Sequence, residues 1–248
     1  MEVRTNVVFF CFICLSLWYH GEVYSGGCGF SEDWLMQVTV SAEIQKSGFH
    51  RELVLSVHCA ADVPDDLQAL LLQRLPGGIY IDSYQLSSLQ QDRGLQVLLD
   101  SEIDLEAPAY SSSGFPAFVF PTRDVGDTNR LWAKVPIHGR YQRPSGSGQK
   151  WEQVYIEAPQ LLLRFDLCKE LQPLPPHKLV EAPCSALNIS MCIWLKIHHW
   201  QDQQAMRIEI PVGHQHLMVP VCAGTLLVTL LCFGLIARAV LAHGFSQP

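Results

Sequence analysis

Charge is scarce in this 248-residue chain: Asp, Glu, Lys and Arg make up 17% of it, well under the roughly 25% of an ordinary soluble domain. Several signatures of chemistry are missing too. There is no Asp-x-Asp triplet of the kind many nucleotide-sugar transferases use to hold a metal. His-Glu-x-x-His, Gly-x-Ser-x-Gly and Gly-rich phosphate loops are also absent, so the usual sequence grounds for a zinc hydrolase, an α/β-hydrolase or a nucleotide-binding enzyme fall away. Between its two apolar segments the chain has no Cys-x-x-Cys, which excludes a thioredoxin-like redox pair and a zinc ribbon. No internal repeat or low-complexity tract occurs.

What is abundant is apolar residues, 48% of the chain, and the excess sits at two places. Val7 to Tyr19 holds 12 apolar residues of 13, and Leu217 to Ala237 holds 16 of 21 with no charge. As a helix the second run rises about 31 Å, which matches a hydrocarbon core of roughly 30 Å. It is read as a transmembrane helix over 217–237, a buried core helix being the alternative. The first run is too short to span comfortably and leads to Val23-Tyr24-Ser25, which suits a signal-peptidase site. A cleaved signal peptide over 1–25 is expected; Glu2 weakens the positive start and leaves an uncleaved anchor as the alternative.

This organisation predicts a single-pass type I membrane protein with a cytoplasmic tail over 238–248, Arg238 agreeing with the positive-inside tendency. The translocated part carries 15 Lys and Arg against 22 Asp and Glu, an acidic balance that argues against nucleic acid and anionic lipid as partners. Of its five cysteines, Cys28, Cys59, Cys168, Cys184 and Cys192, at most four pair within the chain, in any of fifteen ways. Cys184 and Cys192 close a short loop and are the first candidates for a disulfide. That loop contains Asn188-Ile189-Ser190, a candidate site for N-glycosylation.

Met36 to Ile44 alternates apolar and polar residues, Lys46-Ser47-Gly48 breaks the run, and Leu53 to Cys59 resumes it, which predicts a hairpin with Cys59 facing inward. Leu67 to Leu75 is apolar without a clear period. Asp82 or Ser83 is placed to cap a short helix through Leu86 and Leu89 that ends near Gly94. Leu95 to Leu105, Ala117 to Phe120, Leu131 to Ile137, Val154 to Ala158, Leu161 to Phe165 and Ile208 to Val212 read as further strands. Seven or more short strands between turns predict an all-β, sandwich-like antiparallel luminal domain over 26–172. Pro173-Leu174-Pro175-Pro176 marks a boundary to a membrane-proximal luminal segment over 173–216.

Three clusters invite a functional reading. Glu102, Asp104 and Glu106 would share one side of a strand, where solvent explains them as well as a metal does. His198-His199 and His214-x-His216 have no third ligand at metal spacing, so no metal or cofactor is expected. His138, Arg140, Tyr141 and Arg143 gather two cations and an aromatic at a strand end of an acidic domain, a candidate contact for a carboxylate, a phosphate or a partner's acidic loop; a solvated strand end is the bland alternative. Within the span, Gly224, Gly234, Thr225 and Thr229 are residues of the kind that let helices approach in lipid.

Five segments together resemble the PIG-X family: Gly48 to Leu53 (GFHREL), Leu75 to Leu86 (LPGGIYIDSYQL), Asp104 to Pro108 (DLEAP), Val135 to Pro144 (VPIHGRYQRP) and Ile210 to Gly213 (IPVG). They occur in the family's order, ahead of the same single C-terminal span. The resemblance implies a non-catalytic subunit of GPI mannosyltransferase I in the endoplasmic reticulum membrane. Its partner would be the multi-spanning catalytic subunit PIG-M, which adds the first mannose to the GPI-anchor precursor, and no catalytic residues carry over. Two departures stand out, Gly77-Gly78 and Gly139, which give these loops more backbone freedom than a side chain there would. A type I cell-surface receptor or adhesion module fits the same organisation, and a luminal hydrolase is a third reading.

Overall fold

The structure is a computed structural model that describes residues 30–166, 174–187, 190–198 and 204–243. The expected signal peptide, Cys28, Cys168 and Asn188 lie outside the described residues.

After a short helix α1 (Glu32–Met36), the predicted hairpin forms from β1 (Thr39–Gln45) and β2 (His50–His58). Its turn uses the left-handed region at Lys46 (φ 67°) and Gly48 (φ 82°), where glycine carries no steric penalty. Strands β3 (Leu67–Leu75) and β4 (Ile79–Tyr80) lead to α2 (Ser83–Arg93). Asp82 caps α2 by accepting from the Tyr84 and Gln85 N–H groups, and Gly94 closes it at φ 67°, as the turn chemistry dictates. There follow β5 (Gln96–Leu99), β6 (Phe115–Phe120), β7 (Thr122–Arg123), β8 (Arg130–Gly139), β9 (Trp151–Ile156), β10 (Gln160–Phe165), β11 (Lys178–Pro183), β12 (Met191–Lys196), β13 (Met206–Pro211) and α3 (Met218–His243).

All strand pairs are antiparallel. One sheet runs β1-β2-β8-β4 with β7 also on β8, a second runs β11-β12-β10-β3-β6-β5, and β13-β9 form a two-stranded ribbon. One apolar core joins all three: Leu55 and Ile137 from the first sheet, Leu71 and Leu161 from the second, Ile156 and Ile210 from the ribbon are each wholly buried. The predicted sandwich-like, antiparallel β domain is therefore present.

The second sheet explains why Leu67 to Leu75 shows no period. Ala69 and Leu71 face the main core, while Leu70 on the opposite face packs with Leu162 and the fully buried Trp194 in a second cluster. A strand buried on both faces reads as a continuous apolar run. Cys192 and Ala182 belong to this second cluster, and Cys184 and Cys192 are disulfide-bonded beside it.

Two expectations about organisation change. The Pro-rich stretch does not divide the fold: β11 and β12 extend the second sheet and β13 pairs with β9, so residues of the 173–216 segment, Leu195 and Ile208 among them, are built into the main core. The strand expected from Leu95 stops at Leu99, leaving Glu102, Asp104 and Glu106 in irregular backbone.

Helix α3 has 26 residues, a rise of about 39 Å, and is long and apolar enough to cross a bilayer. From Val219 to Leu241 its side chains are open to the surroundings, Ala237 being half-buried. Thr225 and Thr229 bond back to carbonyls one turn earlier, so neither hydroxyl is left unsatisfied in lipid.

Candidate functional site

The five segments quoted above, scattered over more than 160 positions, meet around the end of β8. Register places His50 of β2 and Tyr80 of β4 on either side of His138. The His50 and His138 rings meet edge to face at 4.7 Å, and Tyr80 stacks on His138 at 5.0 Å. From α2, the Gln85 side-chain oxygen Oε1 accepts from His138 Nε2 at 2.9 Å. Just beyond, Gly139 N–H donates to Phe49 O at 2.8 Å and Arg140 N–H to Gly78 O at 2.9 Å.

Arg140 fastens a further segment. Its guanidinium lies 4.8 Å from the Tyr80 ring centroid, and Nη1 donates to Ala107 O at 2.6 Å. Ala107 is held in position by Asp104, whose carboxylate accepts from the Glu106 and Ala107 N–H groups. Asp104, expected on a strand face, is thus a turn-forming residue, and its charge is the largest influence favouring the Arg140 cation against burial. The fifth segment arrives through Ile210, packed against Gly139, and through Gly213, whose carbonyl accepts from Ser145 N–H at 2.8 Å.

The glycines serve close approach here rather than freedom. Neither Gly77 nor Gly139 is among the positive-φ residues. A Cβ on Gly77 would stand 2.2 Å from Ser112 O, and one on Gly139 would stand 2.9 Å from Ile210 Cδ1. The flexibility expected of these two turns is therefore replaced by tight packing, since neighbouring backbone and side chains fill the space.

Burial splits the four residues expected to form one contact. His138 is 7% exposed and Arg140 5%, whereas Tyr141 is 76% exposed and Arg143 is also exposed. Burial, reinforced by His50 and opposed by Asp82, holds the His138 imidazole below the ordinary histidine range. Its Nδ1 is buried without a hydrogen-bond partner, so the neutral ring with its proton on Nε2 fits the site. His138 and Arg140 are internal fastenings rather than contact residues. Tyr141 leans on Phe49 with ring centroids 5.2 Å apart, and Arg143 lies 4.5 Å from the Tyr110 ring centroid, so the outward surface is an aromatic and cationic patch. Tyr110 belongs to this patch and was not legible in the sequence, since it lies in a separate loop brought close by the Ala109 N–H to Tyr141 O bond.

The patch sits beside the root of α3. Ser145 pairs with His214 as an isolated bridge, and the Gln215 N–H donates to Ser145 O at 3.1 Å. The His214 and His216 rings are 5.4 Å apart, and among the described residues no group of three or more His, Cys, Asp or Glu is placed to hold a metal. Cys59 is buried as expected, and burial pushes its thiol up to about 11.

A family profile described as PIG-X / PBN1 matches residues 46–241. The chain belongs to that family. The matched span contains all five converging segments and all but the last two residues of α3, so in this PIG-X / PBN1 chain the family likeness coincides with the site assembled around β8. A human protein named GPI alpha-1,4-mannosyltransferase I, stabilizing subunit, is 32% identical over 212 residues, covering 84% of this chain and 81% of the relative. Rat and mouse proteins of the same name are 29% and 28% identical, each with 84% of this chain and 83% of the relative covered.

Proposed function

We propose that this protein is a stabilising, non-catalytic subunit of GPI mannosyltransferase I. In this reading it lies in the endoplasmic reticulum membrane with its β domain in the lumen and holds the catalytic subunit PIG-M, which adds the first mannose to the GPI-anchor precursor. The observation that carries the reading is the family match from residue 46 to 241, with the 32% identity to the human stabilizing subunit. The geometry supports a binding role: buried cationic and aromatic groups are spent on fastening five segments, and what faces outward is a patch beside the membrane helix.

The partner contact in this proposal consists of α3 together with Tyr110, Tyr141 and Arg143. An exposed Arg stacked on Tyr offers a planar donor to a carboxylate on a luminal loop, and aromatic residues with Arg are the usual anchors of interfaces. Depleting the protein is expected to lower the steady-state amount of PIG-M and of surface GPI-anchored proteins. Unchanged levels of both, or a protein found at the cell surface with complex glycan, would overturn the reading in favour of a receptor.

A further inference from the structure

Helix α3 lacks the aromatic residues that commonly fix the depth of a span. From 204 to 243 the sequence has no Trp or Tyr, although these residues are enriched where spans meet the headgroups. The β domain holds an exposed one beside the backbone that leads into the helix. Trp151 is the only described tryptophan more than a third exposed, at 54%. It opens β9 directly across from Pro211, the last residue of β13, and the neighbouring Lys150 carbonyl accepts from Val212 N–H at 2.9 Å. Both residues are therefore fixed to the backbone that leads into the helix six or seven residues later.

The charge around them is also unlike the rest of the domain. From Tyr141 to Trp151 the cations are the exposed Arg143 and Lys150, with no acidic residue, and none occurs from Ile210 to Met218; Glu152 and Glu209 follow on the side of Trp151 and Ile210 away from the helix. A local basic surface at the root of a span meets lipid phosphates whatever the net charge of the domain.

We propose that Trp151 and Lys150 are the interfacial anchor of α3, the indole lying at headgroup depth and the ammonium on phospholipid phosphates of the adjoining leaflet. An indole suits that layer because its ring is apolar and its N–H is a donor, and a lysine stem reaches outward with its charge in the polar zone. The anchor fixes the height and tilt of the β domain above the bilayer, and it stands independently of the functional reading.

The test uses the full chain reconstituted in phosphatidylcholine vesicles, with or without phosphatidylserine, in which lipid chains brominated near the headgroup quench nearby tryptophan. Trp151→Phe is expected to remove most of the bromine-sensitive emission of the β domain. A Trp151→Phe, Tyr155→Trp double variant keeps the indole on the same face of β9 but moves it about 13 Å along the strand, away from the helix; its quenching is expected to be much weaker. Lys150→Glu is expected to reduce lipid contact by a factor of roughly five, and only when phosphatidylserine is present. Quenching unchanged by Trp151→Phe, or equally strong with the indole at 155, overturns the proposal. So does shielding of Trp151 that appears only when a partner chain is reconstituted alongside, which would assign the surface to protein.

Discussion

Within six residues, the end of β8 changes from interior to surface without changing composition. His138 and Arg140 are buried, and Tyr141 and Arg143 are exposed, yet each half holds one cation and one aromatic ring. The inner half is spoken for: Arg140 bonds Ala107 and lies over Tyr80, and His138 bonds Gln85 between two further rings. The outer half rests on that frame through Phe49 and Tyr110. A cation's meaning in this segment is thus set by what the topology places opposite it, not by its type.

Substitutions can break that contrast, and the largest effect is expected at Arg140. Arg140→Ala leaves Ala107 O without its charged donor and opens a void beside Tyr80, a loss of about 2–4 kcal/mol of stability, read as a lowered unfolding midpoint of the full chain in detergent. Arg143→Ala in the same measurement is expected to stay within about 0.5 kcal/mol, as exposed positions do. A comparable loss at both positions would erase the distinction between the halves.

Gly139→Ala tests whether the frame is packed as tightly as its distances state. A Cβ 2.9 Å from Ile210 Cδ1 and 3.4 Å from Phe49 Cδ1 obliges the end of the buried Ile210 side chain to shift in a filled core, costing about 1 kcal/mol. Unaltered thermal stability would mean that the turn has the slack the sequence suggested.

A smaller effect is expected from pH. Burial lowers the His138 pKa from its unfolded value of 6.5, so below that value the unfolded chain binds a proton that the folded chain resists. Stability from this group is complete above about pH 6.5 and is lost as pH falls through and below it. His177 is lowered too, by burial and by His198, and adds to the same trend. His138→Gln keeps a donor toward Gln85 and is expected to flatten the acid side of the stability curve; an unchanged slope would remove His138 from the account.

How much of this could be read in the chain depends on how local its cause is. The β1–β2 hairpin and α2 with its Asp82 cap and Gly94 stop were legible because alternation and capping are properties of neighbouring residues. Leu67 to Leu75 was ambiguous because its second face is covered by Trp194, more than a hundred positions away. The same distance hid the site. His138 follows an alternation that points it out of the main core, and it is buried only because β4, α2 and His50 close over that face. Asp104 looked like one of three strand carboxylates because Ile103 and Leu105 alternate with them, yet its role is a two-residue turn. The resemblance gathered the right five segments, while their meeting point is a matter of register.

In the proposed arrangement the inner half of this segment builds a frame and the outer half meets the partner. The most direct measurement of this is the amount of PIG-M that co-purifies in mild detergent with a full-length Tyr141→Ser, Arg143→Glu variant whose thermal unfolding is checked in parallel. An unfolding midpoint like that of the parent protein together with a clear loss of PIG-M is expected. Full retention of PIG-M by the folded variant would contradict it.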